Sequence, residues 1–312
     1  MATAIPRVSL PDMDGEISTL IVGCDNKRTL EDASPLWDAW WDAGGNAFDT
    51  AFVYGSGLHE QVLGEWMRLR GVSGKAQVIV KGAHTPNCLP EAIAEQLEIS
   101  LERLGLNHAP VYIMHRDNPD VPVGEFVDAL NAQVDRGLIG ALGGSNWSAE
   151  RFAEAETYAK SKGLRPLSIL NNNLSLAVME KPVWAGCITS NTPDMLGYLR
   201  ESGTTHISWS SQARGYFIAQ SDRTELPTET APDTCFASPE NEERRRRAQT
   251  LAQERGVKTH NIATAWVLAQ AFPSLALIGP RTIEELETTL PALELSLSAA
   301  EVAWLNLEQD ER

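Results

Sequence analysis

Eight short runs of β-branched and aliphatic residues, each followed by a helical pattern or a long connection, narrow the folds open to this chain more than any other feature. The runs occupy residues 19–23, 46–49, 77–81, 110–114, 139–143, 167–171, 205–209 and 275–278. Residues 58–70, 90–104, 122–136 and 149–162 read as helices between them. In the first three of these, apolar residues recur at helical spacing and stop near Gly71, Gly105 and Gly137, where the missing Cβ suits the left-handed residue that ends a helix. Alternating β and α units imply a parallel sheet, and eight of them are the number that closes it. The expected fold class is therefore α/β, a closed barrel of eight parallel strands.

An open, doubly wound sheet is the competing arrangement. It requires a glycine fingerprint after an early strand, and GSGLHE at 55–60 has Glu60 where the third glycine belongs. GVSGK at 71–75 lacks the spacing and the hydroxyl residue of a phosphate-binding loop. Both read as turns. With 312 residues and 43% hydrophobic content, the chain has core material for one domain over 1–312. Its 26 Lys and Arg stand against 42 Asp and Glu, a formal charge of -16, which opposes a nucleic-acid backbone. Nucleic acid is not an expected partner. The start of the chain shows no basic stretch leading into an apolar one, and no run approaches the roughly 20 apolar residues of a membrane span. A cytoplasmic protein without membrane association is expected. Cys24, Cys88, Cys187 and Cys235 are too scattered for a zinc ribbon or a disulfide framework. The six histidines include no HExxH pair, so no metal is expected. The run RRRR at 244–247 reads as a solvated helix face.

In parallel barrels, residues that do chemistry gather where the strands end. The second run ends in Asp49, with Tyr54 in the loop after it; the third ends in Lys81, and the fourth in His115. Each alone is ordinary turn or strand-end chemistry. Together they lie on three adjacent strands and suit proton delivery to a carbonyl as a hydride arrives. A Tyr near its usual pKa of about 10 is a poor acid or base at neutrality, and an ammonium beside it favours the phenolate. Lys81 supplies that field, Asp49 keeps Lys81 charged, and His115 orients the substrate oxygen.

At these residues the chain resembles the aldo-keto reductases, from about Leu20 to about Leu293. FDTAFVYGSGLHEQVLGEW resembles the family's second strand and following helix, VKGAH its lysine segment, and YIMHRDNPD its histidine segment. GLIGALGGSNWSAERF resembles the fifth strand, and ALIGPRTIEELETTLPAL the end that clamps the cofactor. The branch suggested is that of potassium-channel β-subunits and bacterial sugar-type reductases. The resemblance implies a (β/α)8 TIM barrel with a short N-terminal hairpin and a C-terminal helical tail. It also implies NADP or NAD held without a dinucleotide fingerprint, and reversible carbonyl reduction. Asp49, Tyr54, Lys81 and His115 match the catalytic tetrad. Ser145 and Asn146 match the pair that grips the nicotinamide carboxamide, with Asn171 where Gln is commoner. Trp209 stands where a ring stacks on the nicotinamide, Ser210 and Gln212 near the pyrophosphate, and Gly279, Pro280, Arg281, Thr282 and Glu285 around the adenosine ribose.

Substrate is expected among Phe52, His84, Trp147 and Trp184, with a sugar or sugar derivative favoured over other carbonyl compounds. The long connection over 178–204 is expected to carry function. Two sequons, at Asn146 and Asn173, fall within this site region and are discounted as glycosylation sites. Glu285 repels a 2'-phosphate and is positioned to occupy Arg281, which tilts the cofactor expectation towards NAD or dual use. Two alternatives share the same tetrad: a nicotinamide-binding regulatory subunit, and a sugar-processing enzyme that uses transient redox with tightly held NAD. The oligomeric state is not legible.

Overall fold

The computed structural model describes residues 4–312. The chain opens with two short antiparallel strands, β1 (Arg7–Ser9) and β2 (Glu16–Ser18), in the register Val8 opposite Ile17. The barrel follows as β3 (Leu20–Gly23), β4 (Ala47–Asp49), β5 (Gln77–Gly82), β6 (Ala109–Met114), β7 (Ile139–Ser145), β8 (Ile169–Asn171), β9 (Thr205–Ser208) and β10 (Ser274–Ile278). All neighbours are parallel, and β10 pairs with both β3 and β9, so the sheet closes. The eight expected strands are all present.

Period-two alternation divides each strand between two apolar layers. Ile21, Ile79, Val111, Ile113, Ala141, Ile169, Ile207 and Leu275 point into the barrel, where they meet Leu10, Met13 and Ile17. The hairpin β1–β2 and its turn thus plug the end at which the strands begin. Thr19 N–H donates to Pro6 O at 2.9 Å and Gln77 Nε2 reaches Asp14 O, fixing the plug to the starts of β3 and β5. The alternate residues, among them Val22, Phe48, Val78, Val80, Tyr112 and Leu142, face outward into a larger layer with the helices.

Those helices include α1 (Leu30–Asp42), α2 (Leu58–Arg70), α3 (Pro90–Leu104), α4 (Val123–Asp135), α5 (Ala149–Lys162) and α6 (Pro193–Ser202). Three of the four expected helices match at both ends. The remaining one, expected over 122–136, is one residue shorter at each end, where Pro122 is the N-cap and Arg136 the C-cap. Gly71 and Gly105 end α2 and α3 at φ 69° and 64°, the left-handed geometry that stops a helix. At its start α5 is held by Ser148, whose hydroxyl accepts from Arg151 N–H at 3.1 Å. The expected strand at 205–209 ends one residue early. Trp209 bridges to Asn173 outside the sheet, and Ser210 at φ 49° turns the chain away.

After β9 come the short α7 (Pro232–Cys235), then α8 (Pro239–Arg255) and α9 (Thr259–Leu268); β10 is followed by α10 (Ile283–Thr289) and the terminal α11 (Ala299–Leu305). The solvated reading of 244–247 holds for Arg245 and Arg246, which pair with Glu242 and Glu243. It is corrected for Arg247, which is buried: its Nη1 donates to Trp304 O and Gln309 O, both at 2.7 Å, and ties the C-terminal segment to α8. No helix among the described residues is long and apolar enough to cross a membrane.

Candidate active site

At the end where the strands finish, the barrel opens into a cavity of about 650 Å³. Every one of the eight strands, or the loop just beyond it, contributes: Gly23, Asp49, Lys81, His115, Ser145, Asn171, Trp209 and Leu277 all line it. The size falls within the range of small-molecule sites. Eight non-glycine residues have positive φ among the described residues, and six of them (Ser56, Ala83, Asn146, Ser210, Ala213 and Arg214) lie in loops at this end. Each costs of order 1–3 kcal/mol, and such strain concentrates where a ligand must be held.

Asp49, Tyr54, Lys81 and His115 converge on the floor. The Lys81 ammonium donates to Asp49 Oδ1 with both side chains 3% exposed. It also faces the Tyr54 ring from 5.3 Å. The Tyr54 and His115 rings meet edge to face at 5.5 Å, and His84 packs on the other side of His115 at 4.8 Å. Phe52 N–H donates to Lys81 O at 2.8 Å, so the backbone leading to Tyr54 is tied to the strand that carries Lys81. Asp49 Oδ2 and His115 Nδ1 are buried without partners.

Burial sets the charge states. It would lower the Lys81 ammonium, but the Asp49 carboxylate and the Tyr54 phenol outweigh it and leave Lys81 raised. Burial pushes the Tyr54 phenol up to about 12, against the opposing pull of Lys81. The phenol therefore keeps its proton near neutrality, the form a proton donor needs. His115 is held well below its usual value by burial, then by Lys81, His84 and Arg116, so its imidazole is neutral near neutrality.

A ladder of polar groups leads outward. Ser145 Oγ donates to Asn171 O at 2.7 Å, Asn146 Nδ2 donates to Ser145 Oγ at 3.0 Å, and Asn146 Oδ1 accepts from Ile188 N–H at 3.2 Å. Asn171 is anchored to Ile207 O. These bonds leave one N–H on the Asn146 amide and hydrogen-bonding capacity on the Ser145 hydroxyl, which suits a ligand amide. Trp209 and Trp184 face each other at 5.9 Å with 51° between planes, and Arg214 lies 5.2 Å from the Trp184 ring. Gln212 is held by the hydroxyls of Thr264 and Thr289. On the far rim, Gly279, Pro280, Arg281 and Glu285 line the cavity. An added Cβ at Gly279 would meet nothing within 4 Å, so the wall there is open. The Glu285 carboxylate accepts from Arg281 N–H at 2.6 Å and from Thr224 Oγ1 at 3.0 Å. It does not take the Arg281 guanidinium, which forms no ion pair among the described residues.

An elongated ligand with an amide-bearing flat ring at one end and anionic groups at the other fits this set. In such a complex the amide ladder and Trp209 would meet the ring, and the unpaired guanidinium of Arg281 would meet the anion.

Three expected contacts are corrected. Trp147 is fully buried outside the cavity, between Phe126 and Phe152, with its Nε1 donating to Arg116 O at 3.2 Å. Asn146 at φ 61° reverses the chain just before it, and the bare face of Gly144 receives the ring. Phe52 does not line the cavity either, because Arg103 draws its ring under the guanidinium at 4.6 Å while pairing with the buried Glu60 at 2.9 Å. Thr282 is the N-cap of α10, its hydroxyl accepting from Glu285 N–H at 3.1 Å. His84 and Trp184 do line the cavity. Sequence reading missed Asp25, Arg116, Arg214, Arg223, Thr224 and His260, which line it too. Arg116 follows His115 directly and Arg214 follows Gln212 by two, so adjacency was their only signal. Asn146 and Asn173, the sequon asparagines, are both buried.

The model of the aldo/keto reductase family matches residues 22–306. An uncharacterized oxidoreductase of Bacillus subtilis, YrpG, is 26% identical over 93% of this chain and 90% of its own length. An aryl-alcohol dehydrogenase [NADP(+)] of Phanerodontia chrysosporium is also 26% identical, over 87% of this chain and 74% of its own. A probable voltage-gated potassium channel subunit beta of rice, Oryza sativa subsp. japonica, is 26% identical over 86% and 84%.

Proposed function

The chain belongs to the aldo/keto reductase family, and as an NAD(P)-dependent oxidoreductase of that family we propose that it reduces the carbonyl of a small ring-bearing molecule, with Tyr54 giving the proton. The observation that carries this is the floor of the cavity, where Asp49, Lys81, Tyr54 and His115 meet. When bound, the nicotinamide supplies the hydride. The protein's part is to place the carbonyl oxygen between the Tyr54 phenol and the His115 imidazole. A phenol raised to about 12 holds its proton until negative charge develops on that oxygen. Lys81 stabilises the phenolate left behind, and Asp49 keeps Lys81 charged in a buried place. The neutral His115 donates a hydrogen bond without contributing a full charge. Ser145, Asn146 and Asn171 would hold the carboxamide, and Trp209 would lie against the ring. The exposed faces of Trp184 and Val53 at the lip favour a flat or ring-shaped substrate, a sugar derivative among them.

Tyr54→Phe tests the reading. It deletes the acid and keeps the ring, so cofactor affinity should hold while turnover falls about 100- to 10,000-fold. Comparable turnover in the variant would remove Tyr54 from the reaction.

For the cofactor we propose dual use. Glu285 places a carboxylate at the adenosine rim, which opposes a 2'-phosphate and suits a free ribose hydroxyl; the unpaired Arg281 guanidinium favours the phosphate. The two offset one another. Dissociation constants for NADH and NADPH, followed by tryptophan quenching, are expected within about tenfold of each other, a gap under about 1.4 kcal/mol. A larger gap in either direction would show that one of the two side chains dominates.

A further inference from the structure

Among the described residues, four lysines and arginines are buried as whole residues: Lys27, Lys81, Arg116 and Arg247. Three have a carboxylate: Lys27 pairs with Asp32, Lys81 with Asp49, and Arg247 with Glu243. Arg116 has none. Its Nη1 donates to His115 O at 3.1 Å and its Nη2 to the Cys187 sulfur at 3.5 Å, while Nε is buried with no partner. The adjacent Asp117 is taken by Arg151 at 3.2 Å. A guanidinium removed from water without a counter-charge is costly, and the cost is relieved when an anion arrives.

Arg116 lines the cavity beside His84, His115 and Cys187. It directly follows β6 and His115, and in the closed strand order β6 lies diametrically across the barrel from β10. The loop after β10 carries Arg281, the cation suited to the anionic end of the dinucleotide. The two arginines therefore cannot serve the same charge. Arg116 stands next to the place where the carbonyl is held.

We propose that Arg116 receives a carboxylate of the substrate, so that, on the reductase reading above, the preferred substrate is a carbonyl compound that also carries a carboxylate. The bonds to His115 O and Cys187 use one N–H of each Nη, so each Nη keeps a second N–H with which the guanidinium can donate to carboxylate oxygens. The carboxylate takes no part in the reaction and fixes the distance of the carbonyl from Tyr54.

Purified enzyme with NADPH would be assayed on 4-carboxybenzaldehyde and on its uncharged match, methyl 4-formylbenzoate. Wild type is expected to favour the acid in kcat/KM by at least about tenfold, the scale of one charge-assisted contact. In Arg116→Met that preference should collapse to about one, through KM for the acid. Arg116→Lys, which keeps the charge and loses the fork, should retain only part of it and covers the case in which the Met variant does not fold. Turnover of both aldehydes without preference in wild type, or a preference that survives Arg116→Met, would overturn the carboxylate receptor and leave the reductase reading standing. Turnover of neither would sink the reductase reading, and a thermal-shift titration with benzoate against benzyl alcohol would then decide the receptor alone. A benzoate-specific shift lost in Arg116→Met supports it, and no shift overturns it.

Discussion

His115 shows how one buried ring takes its charge state from its neighbours. Burial, Lys81, His84 and Arg116 all disfavour its protonated form, so its pKa lies well below the usual value. Two consequences have opposite readouts. Because the imidazole is already neutral, kcat for carbonyl reduction should show no inflection between about pH 6 and 8; an inflection near 6.5 that disappears in His115→Gln would contradict this. Folding stability behaves differently. A histidine depressed in the folded state binds its proton more readily when unfolded, so its contribution is present above the unfolded pKa of about 6.5 and is lost as pH falls below it. The unfolding free energy should therefore decline on acidification through that value, less steeply in His115→Gln. His206, buried between Ser190 and Ser208 and depressed to about 3, adds to the same decline from outside the cavity.

Between residue and barrel, α10 illustrates how a position that looks like a ligand contact serves an element instead. Its N-cap hydroxyl, Thr282, accepts from Glu285 N–H and turns the carboxylate of Glu285 back onto Arg281 N–H. Thr282→Ala should cost about 1 kcal/mol of stability, read as a lower urea midpoint, while the ratio of NADPH to NADH affinity stays in place, because Arg281 and Glu285 keep their charges. A change in the ratio alone would return Thr282 to the ligand. The eight strands and four helices were legible because strands of a parallel barrel, buried on both faces, read as short runs of β-branched and aliphatic residues, and the helices between them stop at glycine. Asp49, Tyr54, Lys81 and His115 were legible because strand ends in such a barrel share one face. Orientation was not. Trp147 leaves the cavity through the φ of the residue before it, Phe52 through an arginine fifty-one positions away, and Arg247 is buried only because the far end of the chain docks on it. These outcomes depend on contacts between distant segments, which periodicity does not record. The same holds for Arg116, whose identity is plain in HRD but whose lack of a carboxylate appears only when every neighbour is in place.

Across the whole molecule, the two ends of the barrel have been given separate tasks. One end carries the apolar hairpin that packs Leu10, Met13 and Ile17 against the starts of the strands. The other carries the strained loops, the charged side chains and the cavity. Side chains fill the interior between them, so the strands form a solid cylinder and the cavity has a floor. That floor makes the protein a blind alley for its visitors. On the proposed reading, cofactor and substrate share one mouth, and the nicotinamide end, which would lie against the floor, is expected to enter before the substrate and leave after it. Saturating the outer ligand should trap the inner one, so a labelled inner ligand would exchange with bulk more slowly as the outer concentration rises. The order of traffic is thus written into a packing detail at the opposite pole, some of it in a methionine and an isoleucine that no substrate ever meets.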